Sequence, residues 1–261
     1  MADLIQYDVI DHVAVIKLNN PPANAYSYEM MLELDTAILK ARMDTDVHVI
    51  LLRGAGDKFF CAGADIEMLG NVTPEFKYYF CIHANETLNR LEQTSKLVIA
   101  ALNGHTVGGG LEIAMAADIR VAKKDGGKTG LPEVHLGVLP GTGGTQRLAR
   151  LIGAPKSIEL MASGKNLSFE EAKELGIINQ IIPAEEFDND VLEYAKTFTP
   201  PRKASFAVGA IKRAVQSGLQ MGFQEGLALE RELQQQLFRS EDAHEGIAAF
   251  TEKRKPKFKG D

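Results

Sequence analysis

The chain has 261 residues, 45% of them hydrophobic and 25% charged, a balance that supports a substantial buried core and excludes a disordered or fibrous protein. Its net charge of −6, without any long basic run, argues against a nucleic-acid binder, and no apolar run is long enough to cross a membrane. Two cysteines, Cys61 and Cys81, at no metal-ligand spacing point to a reducing compartment; the N-terminal stretch lacks both the apolar core of a signal peptide and the Arg-rich character of a transit peptide, so a cytoplasmic location is expected.

Taken in order, the chain alternates strand and helix. Val13–Leu18 is β-rich and stops at the turn Asn19-Asn20-Pro21-Pro22. Ser27 stands where it can N-cap a helix in which Met30, Met31, Leu34, Ile38 and Ala41 recur at helical spacing. Val47–Leu52, apart from His48, and Leu97–Leu102 are continuous apolar runs, as strands of a sheet covered on both faces must be. Between them lie the turn Gly54–Asp57, a loop from Phe59 to Met68 and a helix from Pro74 to Thr94. Ile119–Ala122 reads as a further strand, and Gly137–Thr145 as a glycine-rich loop entering a helix Gln146–Ile152. Ser168 and Glu171 have capping-box spacing ahead of a short helix that Gly176 can close, followed by a last strand over Ile177–Ile182. From Glu185 onward nearly everything is helix-compatible, including Arg202–Ser217 and Met221–Phe238. The class is α/β, with an alternating body over 1–198 and a helical C-terminal region over 199–261.

The stretch from Asn103 to Glu133 carries the chemistry. Gly108, Gly109 and Gly110 enter an apolar helix, so another molecule can approach the backbone without meeting a Cβ, and the first N–H groups of that helix have no partner within it. Glu112 sits in the first turn beside those donors, and Glu133 follows a proline in a loop-like segment. Two carboxyl groups near exposed backbone donors are suited to acid–base work on a polarised carbonyl. Rival glycine-rich sites fit poorly. Gly141-Thr142-Gly143-Gly144-Thr145-Gln146 has Gln where a dinucleotide fingerprint needs its third glycine, and no Lys precedes the Thr as a P-loop requires, so neither a nicotinamide cofactor nor ATP is supported. Cys61 lacks an evident partner base and reads as packing, and His105 and His135 as structural residues.

Four motifs follow one another: Phe60-Cys61-Ala62-Gly63-Ala64-Asp65-Ile66, then Asn103 to Glu112, then Leu131-Pro132-Glu133, then Leu139-Pro140-Gly141-Thr142-Gly143-Gly144-Thr145-Gln146-Arg147-Leu148. In this order they resemble the enoyl-CoA hydratase/isomerase (crotonase) family, over essentially the whole chain. The resemblance implies a spiral of ββα units with a helical C-terminal trimerisation region, assembled as a trimer or a dimer of trimers. It places the thioester oxygen of an acyl-CoA between two backbone N–H groups, matched here by Ala62 and Gly109. Glu112 matches the acid that holds and deprotonates the attacking water, and Glu133 the one that shares this water and exchanges the proton at Cα. The loop Ala62-Gly63-Ala64-Asp65-Ile66 matches a backbone grip on the adenine part of CoA, Gly141 a position lining the acyl pocket, and Lys253 a C-terminal lysine that meets the CoA 3′-phosphate, often from a neighbouring subunit. Tyr26, Tyr78, Tyr79 and Phe80 are further candidates for the acyl pocket. No metal or redox cofactor is implied, coenzyme A entering as part of the substrate. Two acids favour hydration of a 2-enoyl thioester; isomerisation of a 3-enoyl thioester and a non-catalytic CoA- or RNA-binding role are the alternatives. The chain departs from the family at Tyr26, where an aliphatic residue is usual, at Thr129 and Leu131, and in a longer turn over Asp125–Lys128.

Overall fold

A computed structural model describes residues 3–261. The first two strands, β1 (Ile5–Ile10) and β2 (Val13–Leu18), form an antiparallel hairpin. Its turn is Asp11-His12, both at positive φ (46° and 69°), the backbone twist that a two-residue hairpin favours. Helix α1 (Tyr28–Met43) follows, with Ser27 capping it by accepting from the Met30 N–H as its sequence position predicts. Then come β3 (Val49–Gly54), β4 (Phe59–Cys61), α2 (Ile66–Asn71), α3 (Pro74–Glu92), β5 (Leu97–Leu102), β6 (His105–Val107), α4 (Gly109–Met115), β7 (Ile119–Lys123) and β8 (Lys128–Gly130).

Strands β3, β5 and β7 lie side by side in a six-stranded sheet, parallel to β2, with β10 (Gln180–Ile182) at the far edge. The apolar runs are explained by burial on both faces. Ile16, Ile50, Leu52, Val98 and Leu102 face α1, α3 and α4, whereas Val15, Val49, Leu51 and Ile99 face Phe187 and Val191 of α8 (Phe187–Lys196). Each of β3, β5 and β7 is followed within a few residues by a short strand of a second, four-stranded sheet ordered β4-β6-β8-β9, where β9 is Leu167–Ser168. The ββα repeat is therefore a spiral, as the family resemblance implies. Asn103 ties successive turns together, accepting from the Gly54 N–H at 2.9 Å and donating to the Gly56 carbonyl at 2.7 Å.

The structure corrects several expectations. The loop Phe59–Met68 contains β4 and the start of α2, and the glycine run begins with β6. The helix expected from Gln146 starts at Gly144 as α5 (Gly144–Ile152), and a separate helix, α6 (Ala154–Ser163), follows it. The strand expected over Ile177–Ile182 is confined to β10 because Ile177 and Ile178 turn back to the Ala172 carbonyl of α7 (Phe169–Glu174), whose capping box is present. The C-terminal region holds α9 (Ser205–Gly218), α10 (Phe223–Phe238) and α11 (Glu241–Thr251). Helix α9 lies hard against the segment before β5: a Cβ on Gly209 would run into the Ser95 carbonyl, and buried Lys212 pairs with Asp118 at 2.9 Å.

Candidate active site

The small sheet builds the site. Strands β4, β6 and β8 are parallel neighbours, with Thr106 opposite Thr129 and Val107 opposite Gly130, so their C-terminal ends open side by side. The first end releases the loop Ala62-Gly63-Ala64, the second the Gly108–Gly109 start of α4, and the third Leu131-Pro132-Glu133. The ends of parallel strands are where open backbone donors and loops converge. A cavity of about 500 Å³ lies over them, walled by Tyr26, Leu69, Lys77, Leu139 and Thr142 among others.

Gly108 makes the crossing from β6 into α4. It has φ 56° and ψ −135°, which a side chain would strain, and an added Cβ would lie 3.1 Å from Glu133 Oε1. Glu112 is 2% exposed. Its Oε1 accepts from the Thr142 N–H at 2.8 Å and the Gly144 N–H at 2.7 Å, at the positive end of α5. Burial raises its pKa, and the two N–H groups, with the Thr142 hydroxyl and Arg147, partly offset this. Glu133 opens a one-turn 3₁₀-helix (Glu133–Leu136) and lines the same cavity. Its Oε2 is buried without a partner, and its pKa is pushed up to about 7, by burial above all and then by the Glu112 charge.

The expected donors need one correction. Ala62 lines the cavity, but its N–H donates to the Ala23 carbonyl at 3.0 Å. The N–H groups of Ala64 and Gly109 have no backbone acceptor among the described residues. The two loops touch here, since a Cβ on Gly63 would lie 3.1 Å from Gly109 N. The open pair is thus Ala64 and Gly109. Availability of a donor depends on what pairs with the strand, which residue type does not reveal.

Gly63, Ile66 and Gly141 line the cavity. Asp65 does not: its N–H donates to the Tyr26 carbonyl at 3.0 Å and its carboxylate caps α2 at Met68 N. Tyr78 and Tyr79 stand exposed on α3 outside the cavity, Phe80 is core, and Lys253, exposed past the end of α11, does not line the cavity of its own chain. His105 accepts from the Lys128 N–H, a structural contact, whereas His135 sits on the cavity wall. The Cys61 thiol is pushed up to about 12 by burial, which leaves it inert. Leu69, Lys77, Leu136, Val138 and Leu139 also line the cavity; Val138 and Leu139 lie in the glycine-rich loop already singled out, whereas Leu69, Lys77 and Leu136 lie outside the four motifs and no local signal marks them.

Comparison with known proteins agrees with this architecture. Residues 9–261 match the enoyl-CoA hydratase/isomerase family model. A Bacillus subtilis protein named as a probable enoyl-CoA hydratase is 39% identical, over 98% of this chain and 99% of its own length. The short-chain-enoyl-CoA hydratase of Clostridium acetobutylicum is 39% identical over 93% of this chain and 92% of its own. The crystal structure of the enoyl-CoA hydratase of Geobacillus kaustophilus HTA426 superimposes with a TM-score of 0.97 at 43% identity, covering 100% of this chain and 98% of that one. With the spiral, the two glutamates and the glycine crossing in place, the chain belongs to the enoyl-CoA hydratase/isomerase family.

Proposed function

We propose that this protein is an enoyl-CoA hydratase, adding water reversibly across the double bond of a 2-enoyl-CoA thioester. The observation that carries it is the pair Glu112 and Glu133 facing one cavity beside two open backbone N–H groups. The donors of Ala64 and Gly109 receive the thioester oxygen, where negative charge gathers as the enolate forms. Preorganised donors at such a point typically contribute about 10²–10³ each in rate. Ionised Glu112 takes a proton from water as its oxygen bonds to C3, the π electrons move towards the thioester oxygen, and protonated Glu133 delivers its proton to Cα. The pair therefore works with one proton between its two carboxyls. The thioester and the donors supply the electrophile, so the chemistry requires no metal or redox cofactor, and coenzyme A enters with the substrate. The short-chain hydratase of Clostridium acetobutylicum among the relatives favours a short acyl group. A cytoplasmic location and assembly into a trimer or hexamer belong to the same proposal, as does a contact between Lys253 and the CoA of a neighbouring copy.

The test follows the absorbance of the conjugated thioester when the protein meets crotonyl-CoA. Wild type should bleach it, and Glu112→Gln and Glu133→Gln should each lose about 10²–10⁴ in kcat while calorimetry still shows acyl-CoA binding. Binding of CoA without bleaching by wild type would mean that the acyl group is wrong or that the chemistry is not hydration, and cyclic, branched and 3-enoyl thioesters would be the next substrates.

A further inference from the structure

Tyr26 lies among the groups that do the chemistry, yet hydration as described leaves it unused. Its ring is 2% exposed and packs against Phe80 with centroids 5.9 Å apart. Its backbone is clasped by the donor loop, its N–H donating to the Gly63 carbonyl at 2.9 Å and its carbonyl accepting from Asp65. That clasp delivers the side chain over Gly109, where an added Cβ would run into the tyrosine hydroxyl and ring edge. The missing side chain of Gly109 thus makes room for a phenol as well as for a substrate.

The hydroxyl has one partner, Thr142 Oγ1 at 3.1 Å, and Thr142 is itself buried. Thr142 in turn serves Glu112: its N–H donates to Oε1 at 2.8 Å, and that bond favours the charged form. Either hydroxyl can donate in the Tyr26–Thr142 bond, and in both cases the phenol fixes the Thr142 side chain. The links run from the Tyr26 hydroxyl to the Thr142 side chain and from the Thr142 N–H to Glu112, in surroundings that exclude water.

We propose that Tyr26 is a positioning residue for Glu112: by fixing the Thr142 side chain it keeps the Thr142 N–H against the carboxylate and so holds it charged. The label of general base for Glu112 rests on the hydratase reading above; the coupling of Tyr26, Thr142 and Glu112 does not. A tyrosine needed only for packing would be replaced by phenylalanine without effect. Tyr26→Phe removes one oxygen and keeps the ring, so it separates the two roles. Without the phenol, the Thr142 N–H is held less firmly against the carboxylate, the charged form loses stabilisation, and Glu112 holds its proton to higher pH.

The experiment is an isotope-edited titration of the glutamate carboxyls in the whole protein, with the Glu112 signal assigned by its loss in Glu112→Gln. In Tyr26→Phe the Glu112 titration should move up by about half a unit to one unit, the size of one modest hydrogen bond. Thr142→Val should give the same shift, and the double variant should add nothing to it, because all three act through the same links. The acid limb of kcat/KM for crotonyl-CoA should rise in parallel while KM stays within about twofold. An unmoved Glu112 titration in a folded Tyr26→Phe protein, or shifts that add in the double variant, would overturn the proposal. If wild type hydrates no 2-enoyl-CoA, the hydratase reading fails by itself, and the carboxyl titration still decides whether Tyr26 is coupled to Glu112.

Discussion

A carboxyl group that gives a proton to carbon must still hold that proton near neutral pH, and an exposed glutamate, with a pKa of about 4.3, does not. Glu133 does, because burial pushes its pKa up to about 7 and the Glu112 charge adds to that, against opposing pulls from its own backbone N–H and, more weakly, from Lys77. As the pH rises through about 7 the last proton leaves the pair, Glu133 can no longer donate, and kcat/KM should fall tenfold per unit. Acidification removes activity at the other end, when Glu112 takes up the second proton. Glu112→Gln should lower the Glu133 titration, since it deletes a neighbouring negative charge. A rate profile still level at about pH 9 would exclude Glu133 as the donor. At this scale the sequence was legible for chemistry and poor for pairing. The glutamates and Gly109 stand out by residue type, but the second donor is Ala64 rather than Ala62, because Ala23 occupies the Ala62 N–H. Tyr26 showed only as an oddity until its partner Thr142, 116 positions away in sequence, was brought beside it.

Among the elements, those with the strongest patterns lie furthest from the chemistry. β3 and β5, six residues each and mostly apolar, lie within the large sheet, whereas β4, β6 and β8, which deliver the site, have three residues each. Three residues cannot show a period of two, so the small sheet was hidden within a loop and a glycine run. The C-terminal helices were visible as helices, but their attachment was not. Helix α9 is fastened through Lys212, whose ammonium pairs with Asp118 and donates to the Lys96 carbonyl at 3.0 Å. Asp118 also accepts from the Val98 N–H at 2.7 Å and from the Gln216 side chain at 2.6 Å, and burial still raises its pKa. Lys212→Ala would leave that carboxylate buried without its counter-charge, a loss of about 3–5 kcal/mol. The raised pKa of an uncompensated Asp118 means that the deficit appears as the pH rises through it and shrinks on acidification. Urea unfolding of both proteins at pH 7 and pH 5 would read this, and an equal deficit at the two pH values would remove Asp118 from the explanation.

For the whole molecule, the outer surface of the last three helices is unlike that of a solitary soluble protein. Leu219 is 79% exposed, Phe223 77% and Phe250 87%, and further large apolar side chains, Ile211, Val215 and Phe238, stand out on α9 and α10. Apolar surface of this kind ordinarily meets another protein surface. Lys253 follows Phe250 by three residues, is exposed, and does not line its own cavity. Both facts are accounted for if copies of the chain pack through these helices and each lends Lys253 to the CoA of its neighbour. Sedimentation equilibrium should then give three or six times the 28.5-kDa chain, and Phe250→Asp should lower that mass. Lys253→Ala should keep the assembly and kcat while raising KM for crotonyl-CoA severalfold, because a contact made equally in ground and transition states sets binding alone. Mixing decides whose lysine is used. Lys253→Ala chains and Glu133→Gln chains, each weak or inactive alone, would form hybrids in which a Glu133 site borrows an intact Lys253, and KM should fall towards the wild-type value. A KM that stays at the level of Lys253→Ala in such hybrids would mean that each chain relies on its own lysine, and the shared CoA contact would have to be abandoned.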